Sequence, residues 1–260
     1  MKSFFRMSYP YILWIAIFIV APMIMLLLYA VSRPGNNVLT LQFTLQNFTD
    51  FFSDPTYMRV LGSSLLIAFA TTALCLLIGY PAALFIAHLP ERIQTLMVLL
   101  LTLPMWINTL LKTYAWQGIL DFAPDLTSWI KVMIGMVYDF LPFMIIQIHT
   151  AIAKLDRELI TAAHDLGANR VKTFLKVTLP LSVPGIISGI TLVFLPAVSS
   201  FVIPKLLGGG DYYLIGNLIE TCFITWGNWN FGSAISLIMA LIIIASMWFT
   251  KKIDRNAEEA

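Results

Sequence analysis

The sequence predicts an all-α integral membrane fold with six transmembrane helices and both termini in the cytoplasm. Three observations carry this expectation. First, the 260 residues are 59% hydrophobic and only 12% charged, against roughly 45–50% and about 25% in soluble domains. A core of ordinary size cannot hide that much apolar surface. Second, the apolar residues fall in uncharged runs that suit the ~20 residues a helix needs to cross ~30 Å of hydrocarbon. They are too long for barrel strands, which would alternate with polar lumen residues. Third, the basic residues gather on alternate connections between these runs. A net charge of +2 without a long basic run argues against a nucleic-acid partner. Cys75 and Cys222 lie in apolar stretches and suggest neither a disulfide framework nor a metal site.

No composition shift divides the chain, so residues 1–260 are read as a single transmembrane domain. The first span covers residues 9–31. Its Ala30-Val31-Ser32 end resembles a leader cleavage site, but the apolar run exceeds the ~7–15 residues of a leader, so a retained anchor is expected. The second span, 60–87, leads through a tight turn at His88–Arg92 into the third, 93–111. The fourth, 132–153, is interrupted by one acid, Asp139. The fifth, 178–204, and the sixth, 228–250, contain no Asp, Glu, Lys or Arg. Basic residues flanking spans mark the cytoplasmic side. With the N-terminus inside, that side receives Lys2, Arg6, Arg92, Lys154, Arg157, Arg170, Lys172, Lys176, Lys251, Lys252 and Arg255. The opposite side receives only Arg33, Arg59, Lys112, Lys131 and Lys205.

The long cytoplasmic loop, 154–177, does not read as a loop. Leu155, Leu159, Ala162, Ala163 and Leu166 recur at helical spacing with charges on the other face. Gly167 offers the permissive backbone that ends a helix. A second amphipathic stretch carries Val171, Phe174, Leu175 and Thr178 on one side, and Pro180 marks the start of the fifth span. Two short helices at an angle, lying on the membrane face, would present a knuckle to a cytosolic partner.

Thr161-Ala162-Ala163-x3-Gly167-x9-Val177-x-Leu179-Pro180 resembles the EAA motif of ABC importer permeases, Glu-Ala-Ala-x3-Gly-x9-Ile-x-Leu-Pro. Thr161 stands where the family has Glu, with Glu158 one turn earlier. The stretches Phe43–Phe48, Gly79-Tyr80-Pro81, Leu103–Asn108, Leu206–Gly209 and Leu214–Ile219 are similar to spermidine/putrescine transporter permeases. Within that family the pattern resembles the PotB-type subunit, because Val193–Pro204 lacks the acids usual in the PotC-type sibling. The resemblance implies the type I ABC importer permease (MetI-like) fold in a bacterial inner or plasma membrane. It implies a second, PotC-like permease, two ATP-binding cassette ATPase subunits and an extracytoplasmic polyamine-binding protein as partners. Glu158, Thr161, Ala162, Ala163, Asp165, Leu166 and Gly167 would then couple to an ATPase. Independently, no Gly-Lys dipeptide occurs, so the GxxxxGK[ST] phosphate loop is absent. The chain is expected to bind no cofactor and to perform no catalysis, with ATP and Mg held by its partners.

A polyamine needs carboxylates, carbonyls or aromatic faces to replace its lost hydration. Asp139 is the foremost path candidate, since an acid inside a span is functional by default. Tyr138 accompanies it, and pairing of Asp139 with Lys112, Lys131 or Lys205 is the structural alternative. Trp106 and Asn108 follow Pro104, where an unwound stretch would free carbonyls. Asp211, Glu220, Trp226 and Trp229 add external acids and aromatics, and could equally be a solvated loop with interfacial anchors. His88, His149 and His164 form no HExxH pair, which argues against a metalloenzyme. An ABC permease for ferric iron, thiamine or an oxyanion remains the main alternative, and a stand-alone secondary carrier a lesser one.

Overall fold

The structure is a computed structural model that describes residues 11, 13–33, 42–210 and 212–258. Lys2, Arg6, Asp211 and the first residues of the expected first span lie outside the described residues. Among the described residues the regular structure is helical, apart from an isolated antiparallel bridge between Ser32 and Phe43. We label the helices α1 (Leu13–Ala30), α2 (Gln46–Ser53), α3 (Pro55–Ala87), α4 (Glu91–Trp106), α5 (Thr109–Leu120), α6 (Ser128–Ala153) and α7 (Arg157–Asp165). Next come α8 (Arg170–Ser199), α9 (Val202–Leu207), α10 (Ile215–Thr225) and α11 (Trp229–Glu258). Five of these, α1, α3, α6, α8 and α11, are long and apolar enough to cross a membrane. The bent pair α4 and α5 brings the number to six.

Local chemistry accounts for the helix boundaries. Asp54 accepts a hydrogen bond from the Thr56 amide at 2.7 Å ahead of Pro55, the cap-then-proline start of α3. Residues 93–111 do not make one straight span: α4 ends in a 3-10 turn, Leu103–Trp106, and the axis swings by 93° into α5. Pro104 starts that turn, Ile107 is extended, and Asn108 caps α5 by accepting from the Leu110 amide at 2.8 Å. The second amphipathic stretch likewise departs from the expected boundary at Pro180, because it runs unbroken into the fifth span as α8. A wide π turn, Phe174–Thr178, precedes the proline. Pro180 supplies no N–H and its ring crowds the carbonyl four residues back, and the wider turn relieves both.

The chain forms two compact units: Met1–Leu61 with Leu218–Ile242, and Gly62–Asn217 with Ile243–Ala260. In the first, two asparagines organise the chain around α1. Asn47 donates to the Ala30 and Ser32 carbonyls at 2.8 and 3.1 Å, and Asn230 donates to those of Tyr29 and Ser32 at 2.9 Å. In the second, α8 lies against α6 through Gly185 and Gly189. A Cβ on either would come within 2.4 Å of Ala151 Cβ or 2.6 Å of Met144 Sδ. Such a Gly-xxx-Gly stripe is how helices approach closely where lipid removes the hydrophobic drive to associate. Met136, Met144, Ile148 and Val193 fill this core.

Candidate functional site

The segment between α6 and α8 is built as a self-capped helix. Asp156 caps α7 by accepting from the Glu158 amide at 2.9 Å. At the other end Gly167 takes φ +80, the left-handed conformation that a Cβ penalises. The Gly167 amide then donates to the His164 carbonyl at 2.9 Å and the Ala168 amide to that of Ala163 at 3.0 Å, a Schellman closure. Asn169 immediately starts α8 by accepting from the Lys172 amide at 2.8 Å. Glu158, Thr161, Ala162, Asp165 and Leu166 are exposed, and Ala163 is half-buried. Leu166 is 89% exposed, and Leu159, Val171 and Leu175 add further bare apolar surface. Together they form an apolar surface on a self-capped turn, large enough for a partner to cover.

Thr161 faces differently. It lines a cavity of ≈ 760 Å³ with His88, Glu91, Gln94, Leu155 and Thr178, between α7 and the turn that joins α3 to α4. Gln94 holds that turn by donating to the Ala87 and Leu89 carbonyls at 3.0 and 2.7 Å.

The broken span supplies a second cluster. Lys112 and Trp116 are spaced four apart on α5, hence on one face, and Tyr138 and Asp139 of α6 meet that face. Lys112 forms an ion pair with Asp139, the two side chains being only 9% and 11% exposed. The paired oxygen accepts no hydrogen bond beside that contact. Trp116 packs edge-on against Tyr138 at 5.2 Å. The structure thus sets Asp139 on Lys112 and Tyr138 on Trp116, while Asn108 caps α5 and Trp106 stands before the bend, 83% exposed. Breaking a buried pair by removing one partner leaves an uncompensated charge, so the two groups hold α5 on α6. Of the three lysines weighed for Asp139, the structure selects Lys112.

Glu220, Trp226 and Trp229 belong to the other unit. Glu220 is half-buried, and a π turn, Thr221–Thr225, follows it. Trp226 and Trp229 are each 54% exposed, and the Trp229 ring lies 6.2 Å from Tyr29 and 5.3 Å from Phe223.

Sequence reasoning passed over the clamp after α8. Asn217 accepts from the Leu214 amide at 3.2 Å and donates to the Phe201 carbonyl at 2.8 Å. Ser64 accepts from the Ile215 amide at 2.8 Å. A Cβ at Gly216 would come within 2.6 Å of the Ser199 carbonyl oxygen and 2.8 Å of that of Ser200. The signal was present as Leu214-Ile215-Gly216-Asn217, which carried a resemblance but no geometry.

Comparison with known proteins shows the family. Residues 79–259 match the family described as binding-protein-dependent transport system inner membrane component. The chain is 38% identical to the spermidine/putrescine transport system permease protein PotB of Haemophilus influenzae, over 94% of this chain and 93% of that one. It is 36% identical to PotB of Escherichia coli, over 88% and 90%. Among solved structures it shares the fold of a bacterial ABC transporter for import of the acidic polysaccharide alginate. The TM-score there is 0.79 at 17% identity, covering 98% of this chain and 96% of that one. For the MetNI methionine ABC transporter the TM-score is 0.62 at 14% identity, covering 77% and 95%.

Proposed function

The chain belongs to the family of binding-protein-dependent transport system inner membrane components, and from that premise we propose how it works and with what. It is a multi-pass inner-membrane permease of an ABC importer, PotB-like, and its cargo is a polyamine such as spermidine or putrescine. The observation that carries the mechanism is the self-capped α7 with its bare apolar face, set between two membrane-spanning helices. A cytosolic ATPase that grips Leu159, Ala162, Ala163 and Leu166, with Glu158 and Asp165 at its rim, moves α6 and α8 together. Gly167 keeps the turn stiff, so displacement passes on rather than dissipating. Thr161, pointing at the Gln94-held turn, transmits the same motion to α3 and α4.

ATP and Mg belong in this reading to two ATPase subunits, and this chain neither binds a cofactor nor catalyses a reaction. A PotC-like permease completes the path and an extracytoplasmic polyamine-binding protein delivers the cargo. Both termini and the α7 segment face the cytoplasm, following the distribution of basic residues. Residues 1–260 act as a single permease domain.

Along the path, Tyr138, Trp106, Trp226 and Trp229 offer faces for ammonium groups, at about 0.5–2 kcal/mol per cation–π contact. Asn108 and the unwound backbone beside it offer oxygens, and Glu220 offers an acid near the outer end. Asp139 serves the path with its charge balanced by Lys112, which keeps the cargo weakly held and able to leave. Spermidine uptake into proteoliposomes carrying the complete complex tests this. We expect Asp139→Asn to lower Tm, because Lys112 is left unpaired, and to lower uptake per assembled complex about tenfold, ~1.4 kcal/mol in barrier. Wild-type uptake by that variant would remove Asp139 from the path, and failure of spermidine to stimulate ATP hydrolysis in the unmodified complex would remove the polyamine.

A further inference from the structure

Within the second unit, α6, α8 and α11 enclose an open cleft of ≈ 710 Å³ that the transport reading leaves unused. Its walls are apolar, with Ile187 and Leu192 from α8 and Ile244 and Met247 from α11. Lys251 stands at one end, and the neighbouring Lys252 ammonium lies 5.4 Å from the centre of the Trp248 ring. Two polar side chains inside the cleft are unused: the Gln147 amide and the Ser188 hydroxyl have no hydrogen-bond partner among the described residues. Thr191 and Thr250, by contrast, satisfy their hydroxyls on carbonyls of their own helices, Thr191 on Ile187 at 2.9 Å and Thr250 on Met247 at 3.0 Å.

An unpaired amide within a membrane span is costly unless an occupant satisfies it. No acid lines the cleft and a lysine does, so a cationic cargo is repelled. The groups that converge there can all donate: the Gln147 NH2, the Ser188 hydroxyl and the donor-only Lys251 ammonium. A phospholipid offers the complement, ester and phosphate oxygens that only accept, joined to chains that suit apolar walls. Basic pockets between spans recognise anionic headgroups in this way. Trp248, an amphipathic ring beside the lysines, suits the headgroup level. We propose that this cleft holds one anionic phospholipid of the surrounding bilayer. Its phosphate lies against Lys251 and Lys252, its ester oxygens meet Gln147 and Ser188, and one acyl chain runs along Ile187, Leu192 and Ile244.

The test is native mass spectrometry of the intact complex released from nanodiscs of equal dioleoyl phosphatidylglycerol and dioleoyl phosphatidylcholine. The unmodified protein should retain phosphatidylglycerol preferentially. Lys251→Gln and Lys252→Gln should each lower that preference roughly fivefold, while Lys154→Gln with Lys172→Gln leaves it unchanged. Gln147→Leu should lower retention less, and Ser188→Trp should displace the lipid without removing any protein subunit. Equal retention of both lipids by the unmodified protein would overturn the proposal, as would a preference that survives loss of both lysines. Displacement by excess soluble glycerol phosphate would make this a free-phosphate site instead. Loss of a membrane subunit on Ser188→Trp with lipid retention intact would assign the cleft to a partner helix.

Discussion

The two ends of α8 are built on opposite plans. Where it begins, the chain satisfies its own backbone within a few residues, through Asp156, Gly167 and Asn169, and leaves Leu159, Leu166 and Val171 bare. About 45 Å along, at 1.5 Å per residue, the chain that follows α8 turns its polar groups inward. Asn217 ties Leu214 to Phe201, Ser64 holds Ile215, and Gly216 lies against the carbonyls that end α8. One end satisfies its backbone and leaves apolar side chains bare, whereas the other spends its polar groups on its own chain. A helix anchored at one end and gripped at the other can carry a displacement along its length, which is what transport driven by a separate ATPase requires.

Substitutions should separate the two ends, with damage to folding at the locked end and damage to coupling at the docking end. Gly216→Val should be the most severe, because its side chain would occupy the place of the Ser199 and Ser200 carbonyl oxygens. We expect a loss of about 4 kcal/mol or more and no monodisperse protein on size exclusion. Lys112→Ala strands a buried carboxylate and should cost about 3–5 kcal/mol, read as a fall in Tm in detergent. Combining Lys112→Met with Asp139→Leu should restore most of that Tm yet not restore spermidine uptake; recovery of both would make the pair purely structural. Asn217→Ala removes two hydrogen bonds from a buried side chain and should cost about 2–3 kcal/mol, again seen in Tm.

The docking end should give the reverse pattern. Gly167→Ala forces a Cβ into the left-handed region for about 1–2 kcal/mol of strain. Its larger effect should be on the ratio of spermidine transported to ATP hydrolysed. Leu166→Ser removes a side chain 89% exposed, so Tm should stay within about 0.5 kcal/mol equivalent while spermidine-stimulated ATPase activity falls. A Tm loss in Leu166→Ser comparable to that in Asn217→Ala would erase the distinction between the two ends.

Much of the docking end was legible because its signals are local. Amphipathic spacing and Gly167 after α7 act within one or two turns; the Asp156 cap, equally local, went unread. The bend near Pro104 was legible as an unwound stretch, but its 93° angle was not, since the packing of α5 and α9 against α6 sets it. Pro180 was misread as a boundary because a proline in a helix usually breaks it, and the π turn before it leaves no pattern in composition. The Lys112–Asp139 pair joins residues on different helices, so the sequence offered Lys112 only as one of three lysines, and the packing of α5 on α6 selects it. The clamp around Asn217 was hidden for the same reason: Asn217 reaches back 16 residues to Phe201 and Ile215 reaches back 151 to Ser64.

On the reading proposed above, the bare face of α7 and its Gly167 turn receives an ATPase. Leu166 replaced by a photo-crosslinking amino acid, irradiated in native membranes, addresses it directly. The expected product is a crosslink to a cytosolic protein bearing a phosphate-binding loop, one that weakens when Gly167 is replaced by Val. Crosslinks confined to lipid, or to a protein without nucleotide-binding machinery, would contradict it.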